Sequence, residues 1–483
     1  MVTEDFLALL PILLTTATAL GVMMMVAFRR HHLITVLTAV FGYGAAFAAI
    51  FLAVSAAPRR VTSLLIVDSY ALFYMGVILV ASGIVAALSY DYLEKRNGQR
   101  EEFYILLLLA TVGAETMVAA GHFASFFLGL ELLSVALYGL ISYSREDSRS
   151  IEAGIKYLML SAASSAFLLF GMALIYHESG TLQFARMAMP IVETNAGAQG
   201  IAFLAGVALM ITGLGFKLAV VPFHIWAPDV YEGAPAPVTA FVATVSKGAV
   251  VALLLRFFVQ IDSHRYPSLL LTLSLIAIAS MFVGNLLALL QENVKRILAY
   301  SAIAHFGYIV VAFVASGQLA AEAITFYVVA YIVTALGAFG VVTVLSKGTR
   351  DADTLEDYRG LFWRRPALAG VFTLMLLSLA GIPMTAGFIG KFFIISAGVQ
   401  SALWMLIILL VVNSVISLFY YLRIIIAMTA DLPSQVSIHG SAQALSWEGP
   451  ALLAALTVLL VWLGLYPQGF IALIQHISEG MMG

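Results

Sequence analysis

The sequence contains no cysteine, and only 10% of its 483 residues are charged. Without cysteine the chain can form no disulfide, supply no thiolate nucleophile and hold no iron–sulfur cluster. Soluble domains carry about 25% charged residues, so the shortage of charge excludes a soluble fold. No GxxxxGK[ST] sequence and no credible GxGxxG after a strand is present, and neither is HExxH or a paired His/Asp metal spacing. Nucleotide, redox or metal chemistry therefore has to lie in other polypeptides. The formal net charge of -2 gives no reason to expect a nucleic-acid partner.

What the chain does have is hydrophobicity: 62% of its residues are apolar. Apolar runs of about 20 residues mark membrane spans. We place fourteen, near 5–27, 33–55, 69–91, 103–121, 123–143, 157–177, 200–230, 236–261, 267–290, 297–316, 319–346, 367–399, 402–428 and 449–475. The expected fold is an all-α polytopic membrane protein lying in the lipid bilayer as one domain over residues 1–483. The loops Ser346–Pro366 and Ala430–Gly449 are too short to hold a soluble domain. The first apolar run follows an acidic start, MVTEDF, with no basic region ahead of it, so it reads as a span rather than a cleaved signal.

Lysine and arginine gather in the loops after odd-numbered spans, among them Arg29, Arg30, Lys95, Arg96, Arg145, Arg149, Lys295, Arg296, Arg364 and Arg365. The opposite loops hold only Arg59, Arg60, Arg186 and Arg265. The positive-inside rule then puts both termini on the non-cytoplasmic side.

Two spans are interrupted. In MITGLGFKLAVVPFHIW, Pro222 lacks an N–H and clashes with the carbonyl of Leu218, beside Lys217. In LMLLSLAGIPMTAGFIGKFF, Gly381 and Pro383 open the helix and Lys391 follows. Non-helical backbone survives at membrane depth only inside protein or beside water. The breaks lie five spans apart, so the two segments run in opposite directions, which is the geometry of an inverted repeat. The expected division is spans one to three in 1–100, five-helix repeats of spans four to eight (101–262) and nine to thirteen (263–430), and span fourteen in 431–483. Paired interrupted segments point to a transport site between the halves.

Ionisable residues inside spans default to functional hypotheses, because each costs several kcal/mol to insert. A lone carboxylate at Glu131 would take up a proton, whereas a nearby lysine, with Lys217 the obvious candidate, would keep it ionised. Lys247 falls midway along its span between Ser246 and Gly248, and a desolvated lysine can carry a proton near neutral pH. His305, with Ser301 and Tyr308 at helical spacing, suits a relay through its two ring nitrogens, although a satisfied core histidine fits equally well. His224 follows the first break and is placed to link the cavity to the cytoplasmic loop. Arg256 lies near the outer end of its span, where snorkelling is expected. Glu115 has no evident partner in the sequence.

The stretches GLGFKLAVVPFHIWAPDVYEGAPAPVTAFVATVSK, LSLAGIPMTAGFIGKF and NVKRILAYSAIAHFGY resemble the antiporter-like subunits of respiratory complex I, the NADH–quinone oxidoreductase. Within them the N type fits better than the L type, whose long C-terminal lateral helix has no counterpart after span fourteen. The resemblance implies a proton-translocating subunit of a multisubunit enzyme in the bacterial inner membrane, with no redox chemistry of its own. NADH, flavin, iron–sulfur clusters and quinone would be bound by neighbouring membrane and peripheral subunits. It also implies that Glu131 and Lys217 form an ion pair, that Lys247 is the central lysine, that Lys391 is the exit residue, and that His305 lies on the polar axis between them. A cation/proton antiporter subunit of the Mrp type shares the breaks and the lysines and is the rival reading.

Overall fold

The computed structural model describes residues 2–96, 98–187, 201–261, 264, 266–346, 348, 350–431 and 448–482. Arg265, most of the loop 430–449 and the expected boundary between the repeats at 262/263 lie outside the described residues. The chain is built almost wholly of helices: α1 (Leu10–Phe28), α2 (His32–Ala53), α3 (Ser69–Glu94), α4 (Glu101–Val118), α5 (Phe123–Ile141), α6 (Ser148–Ser179), α7 (Ile201–Leu218) and α8 (Trp226–Gly233). They continue as α9 (Ala236–Gln260), α10 (Pro267–Leu289), α11 (Val294–Val314), α12 (Gln318–Leu345), α13 (Pro366–Ala380), α14 (Ala386–Gln400), α15 (Trp404–Thr429), α16 (Glu448–Leu465) and α17 (Gln468–Met482).

Among the described residues, ten of these helices are long and apolar enough to cross a membrane singly. They are α1, α2, α3, α5, α6, α9, α10, α11, α12 and α15. The expected interruptions are present. The seventh segment divides into α7 and α8, and the twelfth into α13 and α14. The last segment differs from expectation. Rather than one straight span, α16 and α17 meet at 82°, and Pro467 between them removes the N–H that a continuous helix needs. Beyond the bend, Phe470 stacks near Phe73 and Phe326, so α17 lies across α3 and α12.

An all-helical reading also missed a short antiparallel hairpin, Arg59–Val61 with Leu65–Val67. It closes over the turn between α4 and α5, where Ile66 N–H donates to Ala119 O (2.7 Å) and Gly121 N–H to Leu64 O (3.0 Å). That turn is short, and the hairpin satisfies backbone groups the helix ends leave free.

Packing sets the centre of the molecule. Helix α12 touches α3, α9, α11, α13, α14, α16 and α17 and is buried along nearly its whole length. Helices α9 and α11 are buried likewise. By contrast α1 and α2 turn Leu13, Leu20, Phe41 and Phe51 outward, as a lipid-facing surface does. Close contact rests on glycine at a few crossings: a Cβ on Gly113 would meet the Gly129 carbonyl at 2.7 Å, and one on Gly284 would meet the Tyr300 carbonyl at 2.8 Å. Lys247 on α9 and His305 on α11 thus lie in the most deeply buried part of the fold.

Candidate functional site

Helix α7 ends in a left-handed cap. Ala219 adopts φ +58°, its N–H donates to Phe216 O (2.9 Å), and Val220 N–H reaches back to Gly215 O (3.0 Å). Glycine is the usual residue at such a position. Trp226 Nε1 donates across the gap to Phe216 O (2.9 Å), and Val221 N–H donates to Ser280 Oγ (2.9 Å), so side chains meet polar groups that the missing turn frees. Pro222 is exposed within the gap, and His224 is half-buried there, its Nδ1 without a hydrogen-bond partner among the described residues.

Lys217 occupies the last turn before this break and is buried. Its Nζ donates to Ser134 Oγ of α5 and Ser161 Oγ of α6, each at 2.7 Å. Glu131 accepts instead from Ser165 Oγ at 2.5 Å and is only half-buried. The expected direct ion pair between Glu131 and Lys217 is thus not made. The cause is local: Ser134 follows Glu131 by one turn on α5, and Ser161 precedes Ser165 by one turn on α6. Both serines present hydroxyls to the lysine. The five residues are still brought into one cluster.

Lys247 is fully buried. It follows a π-helical turn over Val242–Ser246, the widened kind of turn that recurs at functional sites. Its Nζ has no hydrogen-bond partner among the described residues. What surrounds it are aromatic faces, with the Phe306 ring centroid at 4.6 Å and the Tyr231 centroid at 5.4 Å. A cation over such faces is held by the ring quadrupole alone, a weaker hold than an ion pair with a carboxylate.

His305, one residue before Phe306 on α11, is buried. Its Nδ1 meets Tyr327 Oη at 2.6 Å and its Nε2 meets Tyr421 Oη at 3.2 Å. Tyr421 in turn hydrogen-bonds Ser301. The Tyr308 ring lies 5.5 Å from the imidazole, and Lys391 Nζ lies 5.1 Å from the same Tyr308 ring. Hydroxyls therefore flank both ring nitrogens. Asn285 extends the polar layer, donating to Tyr308 Oη (3.3 Å) and Asn413 Oδ1 (3.1 Å) and accepting from Tyr420 Oη (2.9 Å).

At the second break Gly381 takes φ +86°, and Ile382 N–H closes the cap on Leu377 O (3.0 Å). Pro383 follows in the gap. Lys391, on α14, turns back over the break and donates to Leu379 O (3.0 Å), Ala380 O (2.8 Å) and Ser414 Oγ (2.7 Å). It caps the carbonyl end of α13, where a helix dipole favours positive charge.

The structure thus links Lys247 to Phe306, the neighbour of His305, and His305 to Lys391 through Tyr308, and places Glu131 and Lys217 in a separate cluster on α5–α7. It also corrects one reading. Arg256 does not snorkel; it is buried and forms a two-pronged pair with Asp68, at 2.7 and 2.8 Å. Asp68 is the N-cap of α3, its Oδ1 also accepting from Ala71 N–H (2.8 Å). The signal for this pair was a capping aspartate at the mouth of a span. Glu115 is fully buried beside Thr15 of α1 and Tyr43 of α2, and neither carboxyl oxygen accepts a hydrogen bond among the described residues. It faces the N-terminal helices, away from the axis.

At the arginine-rich end the arrangement is different in kind. Lys295, expected in a loop, is buried and donates to Asp351 Oδ2 (2.8 Å) and Ala234 O (2.6 Å). Asp351 also accepts from Arg96 (2.7 Å) and Tyr92 (2.7 Å). Burial alone would raise the Asp351 carboxyl, but Lys295 and Arg96 hold it below the usual carboxylate range. Nearby, Arg296 pairs with Asp229 (2.8 Å) and Glu232 (2.9 Å), and Lys156 pairs with Asp229 (2.7 Å).

Comparison with known proteins places this geometry. Residues 120–417 match the family described as NADH:quinone oxidoreductase/Mrp antiporter, TM. NADH-quinone oxidoreductase subunit N of Ectopseudomonas mendocina is 47% identical over 98% of this chain and 96% of that protein. Subunit N of Nitrosospira multiformis is 51% identical over 99% and 97%. Among solved structures, a chain of respiratory complex I from Thermus thermophilus with bound aureothin superposes with a TM-score of 0.81 at 30% identity, covering 96% of this chain and 98% of its own length. A chain of the Mrp complex of a Dietzia species superposes at 0.85 over the whole of both chains but is 22% identical, a likeness of fold alone.

Proposed function

The chain belongs to the NADH-quinone oxidoreductase subunit N family, and on that premise we propose that it is a proton-translocating membrane subunit of that enzyme. Its partners are the other membrane and peripheral subunits of complex I, which hold the flavin and the iron–sulfur clusters and act on NADH and quinone. The chain itself moves protons. The Mrp-type reading shares the fold, but relatives at 47% and 51% identity over nearly the full length favour the redox-driven enzyme.

The bilayer reading counts fourteen transmembrane segments. It adds α4, the broken pairs α7–α8 and α13–α14, and the bent α16–α17 to the ten single helices. Segments four to eight and nine to thirteen form the inverted repeats, each with one cap in the left-handed conformation, at Ala219 and Gly381. Both termini lie on the non-cytoplasmic side of the inner membrane, and the ion-paired end with Arg96, Arg149 and Lys295 faces the cytoplasm.

The observation that carries the reading is Lys247: a lysine at the centre of the fold, fully buried, with no acceptor for its protons among the described residues. A group so placed changes its proton occupancy when the potential around it changes. The source of that change is the Glu131–Lys217 cluster. Lys217 rests on two serine hydroxyls, and swinging it onto Glu131 forms an ion pair of about 4 kcal/mol at 4 Å and an effective dielectric of 20. Moving one proton against 100 mV costs about 2.3 kcal/mol, so the two quantities are of one size. A proton taken up from the cytoplasm at Lys247 passes through His305 and its tyrosine hydroxyls to Lys391, then outward. Quinone reduction in neighbouring subunits drives the Glu131–Lys217 cluster from a distance.

The test is purification through a tag on this chain in mild detergent, with a visible spectrum and NADH–quinone activity measured on the peak. A large assembly with flavin and iron–sulfur absorbance and inhibitor-sensitive activity is the expected result. A colourless assembly of small membrane proteins showing sodium-dependent proton exchange without NADH would contradict it.

A further inference from the structure

Helix α8 is a short plug with two different sides. Asp229 and Glu232 are three residues apart and share one face, while Tyr231 points about 200° away from Asp229 on a helix of 3.6 residues per turn. The carboxylate face opens on a polar pocket of about 200 Å³ lined by Arg149, Glu152, Lys156, Asp229, Glu232 and Arg296. Three cations and three carboxylates balance there, so the pocket is wet and polar without net charge. On the other face Tyr231 is fully buried, packs edge-on against Phe339 at 5.8 Å and presents its ring to Lys247 Nζ.

Two buried polar groups at this face lack protein partners among the described residues: the Tyr231 hydroxyl and Lys247 Nζ. A buried hydroxyl left unpaired is destabilising, and native interiors pair such groups through ordered water. The Tyr231 ring lies 5.4 Å from Lys247 Nζ, and two such groups on adjoining buried side chains mark a place for a bridging water. Resting on the proton-carrying role of Lys247, we propose that Tyr231 is the relay through which a proton crosses from the polar pocket to Lys247. The hydroxyl suits this because it donates and accepts at one oxygen. Its proton passes by bridging water to the neutral Lys247 amine as its oxygen receives one from the pocket side, so one proton crosses and the phenol is restored. It then rotates to repeat the step. The carboxylates and their cationic partners hold α8 in place on the other side. The Lys156–Asp229 and Arg296–Glu232 pairs (2.7 and 2.9 Å) tie it to α6 and α11.

The test uses the assembled complex in proteoliposomes and compares proton uptake per NADH oxidised for Tyr231→Phe, Tyr231→His and Lys247→Ala. Phe keeps the ring, the contact with Phe339 and the aromatic face toward Lys247, and removes only the hydroxyl. A packing role therefore predicts wild-type behaviour for Tyr231→Phe. The relay predicts that Tyr231→Phe slows proton uptake through this subunit by about tenfold, equivalent to about 1.4 kcal/mol on the transfer barrier, with complex yield unchanged. It also predicts that Tyr231→His, whose imidazole both donates and accepts, recovers most of the rate. Wild-type pumping in Tyr231→Phe alongside impaired pumping in Lys247→Ala would overturn the relay and leave the proton-carrying role of Lys247 standing. Unimpaired pumping in Lys247→Ala would overturn both.

Discussion

The two broken helices solve the same problem in opposite ways. At the first, Lys217 precedes the break and turns away from it, to the Ser134 and Ser161 hydroxyls of two neighbouring helices. At the second, Lys391 follows the break and folds back, holding the Leu379 and Ala380 carbonyls of the half-helix it has left. The first lysine ties α7 to α5 and α6 through partners that can rotate. The second closes its own helix mainly through backbone that cannot, with the Ser414 hydroxyl of α15 as its one side-chain partner among the described residues. The comparison teaches that sequence pattern locates a lysine at each break but does not say what the lysine holds. A movable contact suits a switch, and a fixed one suits a terminus of the pathway.

Removing the two lysines separates these roles most strongly. Lys391→Ala leaves the buried Leu379 carbonyl without its donor, at about 1–3 kcal/mol for the unmade bond, while Ser414 Oγ still donates to Ala380 O (3.2 Å). The expected result is a marked loss of assembled complex, read as yield and thermal midpoint. Lys217→Ala frees two serine hydroxyls, and Ser134 already donates to Leu130 O of its own helix (2.6 Å). Assembly should therefore persist while pumping falls. Equal losses of assembly would break the comparison.

Backbone changes come next. Gly381→Ala places a Cβ at φ +86° and within 2.8 Å of Lys391 Cδ, so both the cap and the lysine must shift. The left-handed conformation alone costs about 1–2 kcal/mol for a residue with a Cβ. The thermal midpoint should fall, and an unchanged one would show that the cap is not rigid.

How much of this was legible in the sequence follows from what each feature depends on. The helix breaks and their lysines were legible because proline, glycine and charge inside an apolar run act locally. The axis through Lys247, His305 and Lys391 was legible as a set of misplaced polar residues, and the family resemblance ordered it. The bidentate partner of Arg256 was not, because Asp68 lies 188 positions away at a helix cap just outside a span. The serines around Lys217 were invisible because a serine in a membrane helix usually bonds its own backbone. The π turn before Lys247 and the 82° bend after Leu465 arise from packing and one proline, not from hydrophobic period.

Smaller effects sharpen the contrast between fixed and movable charge. Asp351 is a fixed pair: its carboxyl is held low in the folded chain by Lys295 and Arg96. Its stabilisation is present above the unfolded carboxylate pKa of about 3.9 and is lost as pH falls through the lower folded value. Asp351→Asn should therefore lower the thermal midpoint at neutral pH, with the difference from wild type shrinking in acid. A difference that stays constant with pH would contradict the assignment. The smallest effect expected is at Ala219, held at φ +58°. Ala219→Gly relieves that conformation, partly offset by a more flexible unfolded chain, and should raise the midpoint slightly, by up to about 1 kcal/mol of stability. A lower midpoint would show that the alanine methyl packs usefully at the break.

The most direct test of the central claim is the proton-to-electron ratio of the assembled complex carrying Lys247→Ala, measured during steady NADH oxidation in sealed vesicles. The account predicts a normal complex whose ratio falls by this subunit's share. A ratio equal to wild type, in a complex of normal yield, would contradict a pathway through Lys247.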